Sequence, residues 1–323
     1  MVLASAPAKI ILFGEHFVVS DRLAIAAAID LRAKVEANFN DSKIFSFLSK
    51  KNNFKIDVNF DDVVNGRINN YNSFFKPLLF ILYEISKCLK LERGIDFIID
   101  SDIPIGVGLG SSAAVSVAFS AATLKLLNYN FGMKDIIIFA SKGESLAHER
   151  PSGIDPTIST LGGILVYRRS EGFRTLDVSI NNPVIIGVTN ESRSTAEMVM
   201  KVLNFKAKYP KIFDFLYEAN DIIVYEAIEA LKSNDLLKIG ELMNIAHGLL
   251  SSIGVSSLSL ERLIYAARNA GAYGAKITGA GGGGAMIAVC DSEKIGLVSK
   301  VIKDNGGSVI SSYISNCGVK IHE

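Results

Sequence analysis

Apolar and polar positions alternate in short runs over the first third of the chain. Leu3 to Phe13, Ala24 to Ala28, Ala33 to Phe39 and Ile44 to Leu48 are predicted strands, since each run is short and either alternates or stays apolar. Asn-rich polar stretches such as Asn65 to Asn72 interrupt them. From Phe75 to Leu91 the apolar spacing turns helical, and Ile95 to Ile99 reads as another strand. Ser112 to Leu127 and Lys134 to His148 are predicted helices, followed by a hairpin of Gly162 to Arg169 and Phe173 to Val178. The pattern changes near Asn181 to Pro183. Val184 to Thr189 is a strand, and Ser194 and Glu197 have capping-box spacing at a helix start. Three further helices run from about Ile212 to Gly271, separated at Ser233–Asn234 and at Gly254–Ser257. Strands at Ala275 to Thr278 and Ala285 to Val289, a helix from Glu293 to Asp304 and a strand at Val309 to Ile314 close the chain. Both halves mix strands and helices without regular βαβ alternation, which predicts an α+β fold rather than a doubly wound parallel sheet. A chain of 323 residues is long for one core and comfortable for two domains. The change of pattern divides it into 1–180 and 181–323.

Charge narrows the function classes. The 34 basic and 33 acidic residues nearly cancel, which gives no global reason to expect nucleic acid or an anionic membrane as partner. The three cysteines, Cys88, Cys290 and Cys317, lie far apart without metal-ligand spacing. Reduced thiols in a cytoplasmic protein are expected. Ile103 to Leu124 carries no charge, but Pro104, a run of glycines and four serines suit a loop entering a buried helix rather than a membrane span. Lys9 and Glu15 bracket the apolar stretch near residue 1 and no small-residue cleavage site follows, so no signal peptide is expected.

The most informative segment is Pro104-Ile105-Gly106-Val107-Gly108-Leu109-Gly110-Ser111-Ser112-Ala113. Alternate glycines let backbone approach a ligand closely. The helix that follows offers free N–H groups and a positive dipole end, a natural phosphate site. The hydroxyls of Ser111 and Ser112 could cap the helix, touch phosphate or bind Mg²⁺. A Walker A loop is excluded because no lysine ends the segment, and the spacing is not that of a dinucleotide fingerprint. A plain turn before a buried helix stays open for this segment alone. Two more segments accompany it. Lys276-Ile277-Thr278-Gly279-Ala280 runs into four further glycines, and Pro7-Ala8-Lys9 leads through an apolar strand into Gly14-Glu15-His16.

In this order, the three segments resemble the signature of the GHMP kinases (galactokinase, homoserine kinase, mevalonate kinase, phosphomevalonate kinase). The segment from Pro7 to Val19 and the stretch Gly143-Glu144 … His148 … Pro151-Ser152-Gly153-Ile154-Asp155 are similar to the mevalonate kinase form. Ala8, where many members have Gly, and Arg150, before Pro-Ser-Gly, depart from the pattern. The resemblance implies an N-terminal domain like ribosomal protein S5 domain 2 and a ferredoxin-like C-terminal domain, with ATP and mevalonate in the cleft between them. It implies an ATP-dependent, Mg²⁺-requiring kinase acting on the C5 hydroxyl of mevalonate in isoprenoid synthesis. It leaves a homodimer open.

With that resemblance, Asp155, read as lying in a Ser-Gly-x-Asp-Pro turn directly after a helix, is the expected base and Lys9 its partner, holding Asp155 ionised and stabilising developing charge. By itself Lys9 could be a surface lysine, yet it sits within an apolar strand. Ser112 and Glu144 are the expected Mg²⁺ ligands, with Pro104 to Ala113 around the phosphates. Without the family pattern, Glu144 reads as a solvent-facing helix residue spaced to pair with His148; a Zn²⁺ site at Glu144 and His148 is a third reading. Glu15, His16, Asp155, Thr195, Gly279 and Ala280 are expected on the substrate side. Alone, Ser194–Thr195 is a helix start and His16 a structural histidine; His247 and His322 are read as structural. Phosphomevalonate kinase and mevalonate 3-kinase are the nearest rivals, with Arg150 and Arg193 as basic groups for a phosphorylated substrate. A non-catalytic sensor of the same fold would have no need of Lys9, Glu144 and Asp155 together.

Overall fold

The computed structural model describes residues 1–147, 153–178, 180, 182–191 and 194–322. In chain order the strands are β1 (Val2–Phe13), β2 (Ala24–Phe39), β3 (Ile44–Ser49), β4 (Phe54–Asn59), β5 (Ile95–Ser101), β6 (Ile164–Arg168), β7 (Gly172–Leu176), β8 (Val184–Val188), β9 (Gly274–Thr278), β10 (Ala285–Val289), β11 (Ser308–Ser312) and β12 (Lys320–His322). The α-helices are α1 (Phe60–Val64), α2 (Lys76–Cys88), α3 (Ser111–Leu126), α4 (Met133–Ala147), α5 (Ile154–Leu161), α6 (Thr195–Lys208), α7 (Pro210–Lys232), α8 (Leu236–Ser252), α9 (Leu258–Asn269) and α10 (Ile295–Asp304).

Two sheets organise these elements. The first has the order β12-β1-β2-β5-β3-β4, with β6 joined to β2 and β7 to β6. Its pairs are antiparallel apart from β3 with β5. The second has the order β11-β8-β10-β9 and is antiparallel throughout. Counted along the chain, those four strands lie 4-1-3-2, with α6 to α9 between the first and second and α10 before the fourth. This is a ferredoxin-like arrangement with extra helices, within the α+β class that the element pattern predicted. No helix among the described residues is long and apolar enough to cross a membrane.

β2 is one strand where the apolar pattern predicted two. Its polar break is a bulge. Pro7 of β1 faces Arg32, while the next residue, Ala8, faces Ile29. Extra residues on one strand bend it without ending it. The start of β2 therefore pairs with β6 and its end with β5.

β4, α1, α5 and β12 carried no strong signal in the sequence. α5 matters most, because the Ser-Gly-x-Asp-Pro segment, expected as a turn, opens a helix at Ile154. β12 crosses the expected division of the chain. It follows the second sheet in sequence, yet Lys320 to His322 pair with Ser5 to Leu3 of the first. Arg32 anchors this return by donating to Gly318 O at 2.6 Å. The two halves also share one apolar cluster, in which Ile10, Phe13 and Val117 join Ile186, Ile223, Met243 and Ile287.

α3 is apolar or small on nearly every side, a composition that demands burial all round. Ala114, Ala118, Ala121 and Ala122 are fully buried, and the helix packs against β1, β2, α4 and α5. The buried helix holds its first turn in a fixed place relative to β1.

Candidate active site

The site is built along the edge of β1 that faces away from β2. Backbone groups on such an edge need partners. At Leu3 to Ser5 the partner is β12. At Lys9 the N–H donates to Leu109 O (3.0 Å), at the end of the glycine loop. At Ile11 the hydroxyl of Thr278 accepts from the backbone N–H (2.9 Å) and donates to the carbonyl (3.1 Å). Both glycine-rich segments are thereby tied to one strand. They also meet each other: a Cβ on Gly279 would lie 3.4 Å from Gly108 O.

Pro104 to Gly110 forms an open loop whose anchor is the buried Leu109, with Ile105, Gly106, Gly108 and Ser112 exposed. Gly110 ends it with φ 73° as the N-cap of α3 and makes no side-chain cap. A Cβ there would stand 2.7 Å from Lys9 Cγ, so only glycine lets the loop pass over this lysine. The N–H groups of Ser111, Ser112 and Ala113 have no side-chain cap and lie at the positive end of the helix dipole. The arrangement suits a phosphate chain.

Lys9 shares its sheet face with Ile11. That face, with Ala26 and Ala28 of β2, packs against Ile154 and Ile158 of α5. Asp155, in the first turn of α5, therefore meets Lys9. The Nζ–Oδ2 distance is 3.3 Å, with the lysine side chain 7% and the carboxylate 33% exposed. The cation is buried and the carboxylate opens outward. Across α3, the Ser112 hydroxyl donates to Glu144 Oε1 at 2.6 Å. Glu144 is 4% exposed, which rules out the solvent-facing reading. The pair is an oxygen-only donor set beside an uncapped helix start. It suits Mg²⁺, which takes few protein oxygens and completes its shell with phosphate and water. The Zn²⁺ reading rests on His148, which lies outside the described residues; among the described residues no group of three or more His, Cys, Asp or Glu could hold a metal.

The residues expected on the substrate side join distant parts of the chain, with Glu15 and His16 buried. Glu15 forms an ion pair through Oε1 with Lys276 of β9, which also donates to Ile277 O (2.6 Å). Burial pushes the Glu15 carboxyl up, opposed chiefly by the Lys276 charge. Burial pushes the Lys276 ammonium down. His16 Nε2 faces Ala280 O at 2.8 Å, and burial lowers the pKa of its ring. Glu15 Oε2 and His16 Nδ1 are buried without a hydrogen-bond partner.

Most expected residues thus converge: Lys9, Asp155, Ser112 and Glu144 on one side, Glu15, His16, Gly279 and Ala280 on the other. Thr195 is the first residue of α6 and exposed, and Ser194 makes no side-chain cap despite the capping-box spacing. His148, Arg150, Pro151, Ser152, Ser192 and Arg193 lie outside the described residues. His247, read as structural, is held by Glu261 at 3.2 Å. Sequence reasoning missed the roles of Lys276 and Thr278. A lysine inside the apolar strand β9 was the available signal, the same one that marked Lys9.

Two family descriptions match the chain: GHMP kinases N terminal domain over residues 77–163 and GHMP kinases C terminal over 227–306. The mevalonate kinase of Pyrococcus abyssi is 41% identical over 100% of this chain and 98% of its own length. That of Aeropyrum pernix is 32% identical over 99% of this chain and 98% of its own. The crystal structure of the Methanococcus jannaschii mevalonate kinase superimposes with a TM-score of 0.88 at 26% identity, covering 97% of this chain and 98% of that one. The L. major mevalonate kinase, solved in complex with R-mevalonate, gives 0.82 at 28% identity, covering 96% and 94%. The chain belongs to the GHMP kinase family, among the mevalonate kinases.

Proposed function

We propose that this kinase transfers the γ-phosphate of ATP to the C5 hydroxyl of mevalonate. The observation that carries the reading is the Lys9–Asp155 pair at 3.3 Å, tied through Leu109 to an uncapped helix N-terminus. Residues Pro104 to Ala113 would cradle the phosphates. The adenosine half is assigned to a cavity of about 510 Å³ beside α2 and the end of α4, lined by Ile68, Asn69, Lys76, Phe80, Tyr83 and Leu146. Ser112 and Glu144 would hold Mg²⁺, which when bound neutralises phosphate charge.

Asp155 accepts the proton of the attacking hydroxyl. The alcohol oxygen then bonds to the γ-phosphorus as the bond to the β-phosphate oxygen breaks, and ADP leaves. Lys9 steadies the charge on the alcohol oxygen and the transferring group. Positioning supplies much of the acceleration in such reactions. Glu15, His16, Gly279, Ala280 and Thr195 are assigned to the acceptor side. We assign the reaction to the cytoplasm, a reading supported by three unpaired cysteines.

A coupled assay of ADP release across mevalonate, phosphomevalonate, galactose and homoserine tests the reading. Turnover with mevalonate is expected. Turnover with phosphomevalonate alone would favour the rival kinase, and turnover with none the sensor.

A further inference from the structure

Lys276 is a lysine with no exposed surface, on a fully buried strand where it is the one charged residue. Its ammonium is bound by Glu15 Oε1 and by Ile277 O. Two buried charges gain little net stability from each other, and apolar side chains of similar size often serve a core as well. An ion pair does fix geometry. Here the geometry is that of the turn Gly14-Glu15-His16. Gly14 has φ 93°, and a Cβ there would lie 2.4 Å from Leu23 O. His16 has φ 62°, an uncommon state for a side chain of its size. Such backbone persists where its surroundings over-determine it. Three contacts with the second half do so: Thr278 on Ile11, Lys276 on Glu15 and Ala280 on His16.

The two atoms in this turn that lack partners share a character. Glu15 Oε2 is a carboxylate oxygen and accepts. His16 Nε2 faces a carbonyl oxygen and so carries the ring proton, which leaves Nδ1 as an acceptor on the neutral ring. A buried acceptor without a donor is costly. Hydroxyl groups of an alcohol substrate are donors of the required kind.

We propose that Lys276 is a positioning residue for the acceptor: by holding one oxygen of Glu15 it sets the turn so that Glu15 Oε2 and His16 Nδ1 receive hydroxyl protons of the substrate. The proposal rests on the phosphotransferase reading above. It adds that the site selects for a second hydroxyl, as in mevalonate, besides the one that is phosphorylated.

The test compares Lys276→Met, Glu15→Gln/Lys276→Met and the apolar pair Glu15→Leu/Lys276→Met. KM for mevalonate, KM for ATP and kcat are measured from pH 5.5 to 9. Lys276→Met is expected to raise KM for mevalonate roughly 10- to 100-fold, with KM for ATP within about twofold. In that variant Glu15 loses its main cation. The remaining charged and titratable neighbours are Lys9 of β1 and His16 beside it, while His247 of α8 senses the Lys276 charge. The buried carboxyl then takes up a proton at a higher pH than in the wild type. A new inflection in KM for mevalonate is expected, absent from Glu15→Gln/Lys276→Met. A purely structural lysine would lower Tm without either change. Should Lys276→Met fail to fold, Lys276→Gln carries the test with the same expected rise, and Glu15→Leu/Lys276→Met serves as the control for loss of the acceptor itself. A wild-type KM for mevalonate in a folded variant, or equal rises in both KM values, overturns the proposal. If the wild type turns over another alcohol of the panel, the substrate reading fails separately and the KM split is measured on that alcohol. Turnover with none overturns both.

Discussion

The two sides of the proposed site are built in opposite ways. The proposed phosphate side opens on a loop and the helix start after it, joined by Lys9 of β1 and a carboxylate in the first turn of α5. Its groups are partly open, as the 33% exposed Asp155 carboxylate shows. The proposed acceptor side is assembled from residues more than 260 positions apart, Ile11, Glu15 and His16 against Thr278, Lys276 and Ala280, with Glu15, His16 and Lys276 buried. An open floor of backbone donors can bind any nucleoside triphosphate. A closed set of acceptors, fixed by contacts between the halves, can discriminate among alcohols.

Mutations at the phosphate side should therefore strike kcat. Asp155→Asn is expected to lower kcat by about 10²- to 10⁴-fold, the usual worth of a general base. Titration calorimetry with an ATP analogue should show nucleotide affinity within about threefold of wild type. Lys9→Met is expected to lose about 10²- to 10³-fold in kcat, as for other groups that stabilise developing charge. An unchanged rate in either variant would leave that pair with a structural role only.

Gly110→Ala probes the join between loop and strand. The new Cβ meets Lys9 Cγ at 2.7 Å, and φ at this position is +73°. A stability loss of about 1–3 kcal/mol is expected from the strained backbone, read from denaturant melts. The displaced lysine should also cost about 10²-fold in kcat, the effect of a shift near 1 Å. Normal kcat in a destabilised protein would separate the loop's packing from its chemistry.

The smallest effect concerns pH. Burial holds the His16 pKa below its ordinary value of 6.5. Between the folded value and 6.5 the unfolded chain binds more protons than the folded one, so stability falls as pH falls through that window. Protonation would also turn Nδ1 from acceptor to donor. KM for the acceptor should be flat above pH 6.5 and rise below the folded value, and His16→Gln should remove the rise. A rise centred above 6.5 would contradict the neutral ring.

The glycine loop was legible in the sequence because its residues lie together along the chain, whereas Lys9, Glu144 and Asp155 took their expected roles from the family likeness. Three alternate glycines before a small-residue helix suit a phosphate loop, and a plain turn was the other reading of that segment alone. Even so, α5 was expected as a turn, since Gly153 and Pro156 obscure a helix only 8 residues long. β2 was expected as two strands because a bulge and a turn leave similar polar marks. The acceptor side was legible only through family likeness. Nothing near Glu15 indicates a partner 261 residues away, and long-range pairing leaves no local period to read. Lys276 carried the sole hint, a charge inside an apolar strand.

The most direct test of the central claim is phosphorus NMR of a complete reaction of wild-type protein, MgATP and mevalonate. One phosphomonoester on the C5 oxygen for each ADP formed is the predicted result. Phosphate on the C3 oxygen, or inorganic phosphate in place of an ester, would contradict it.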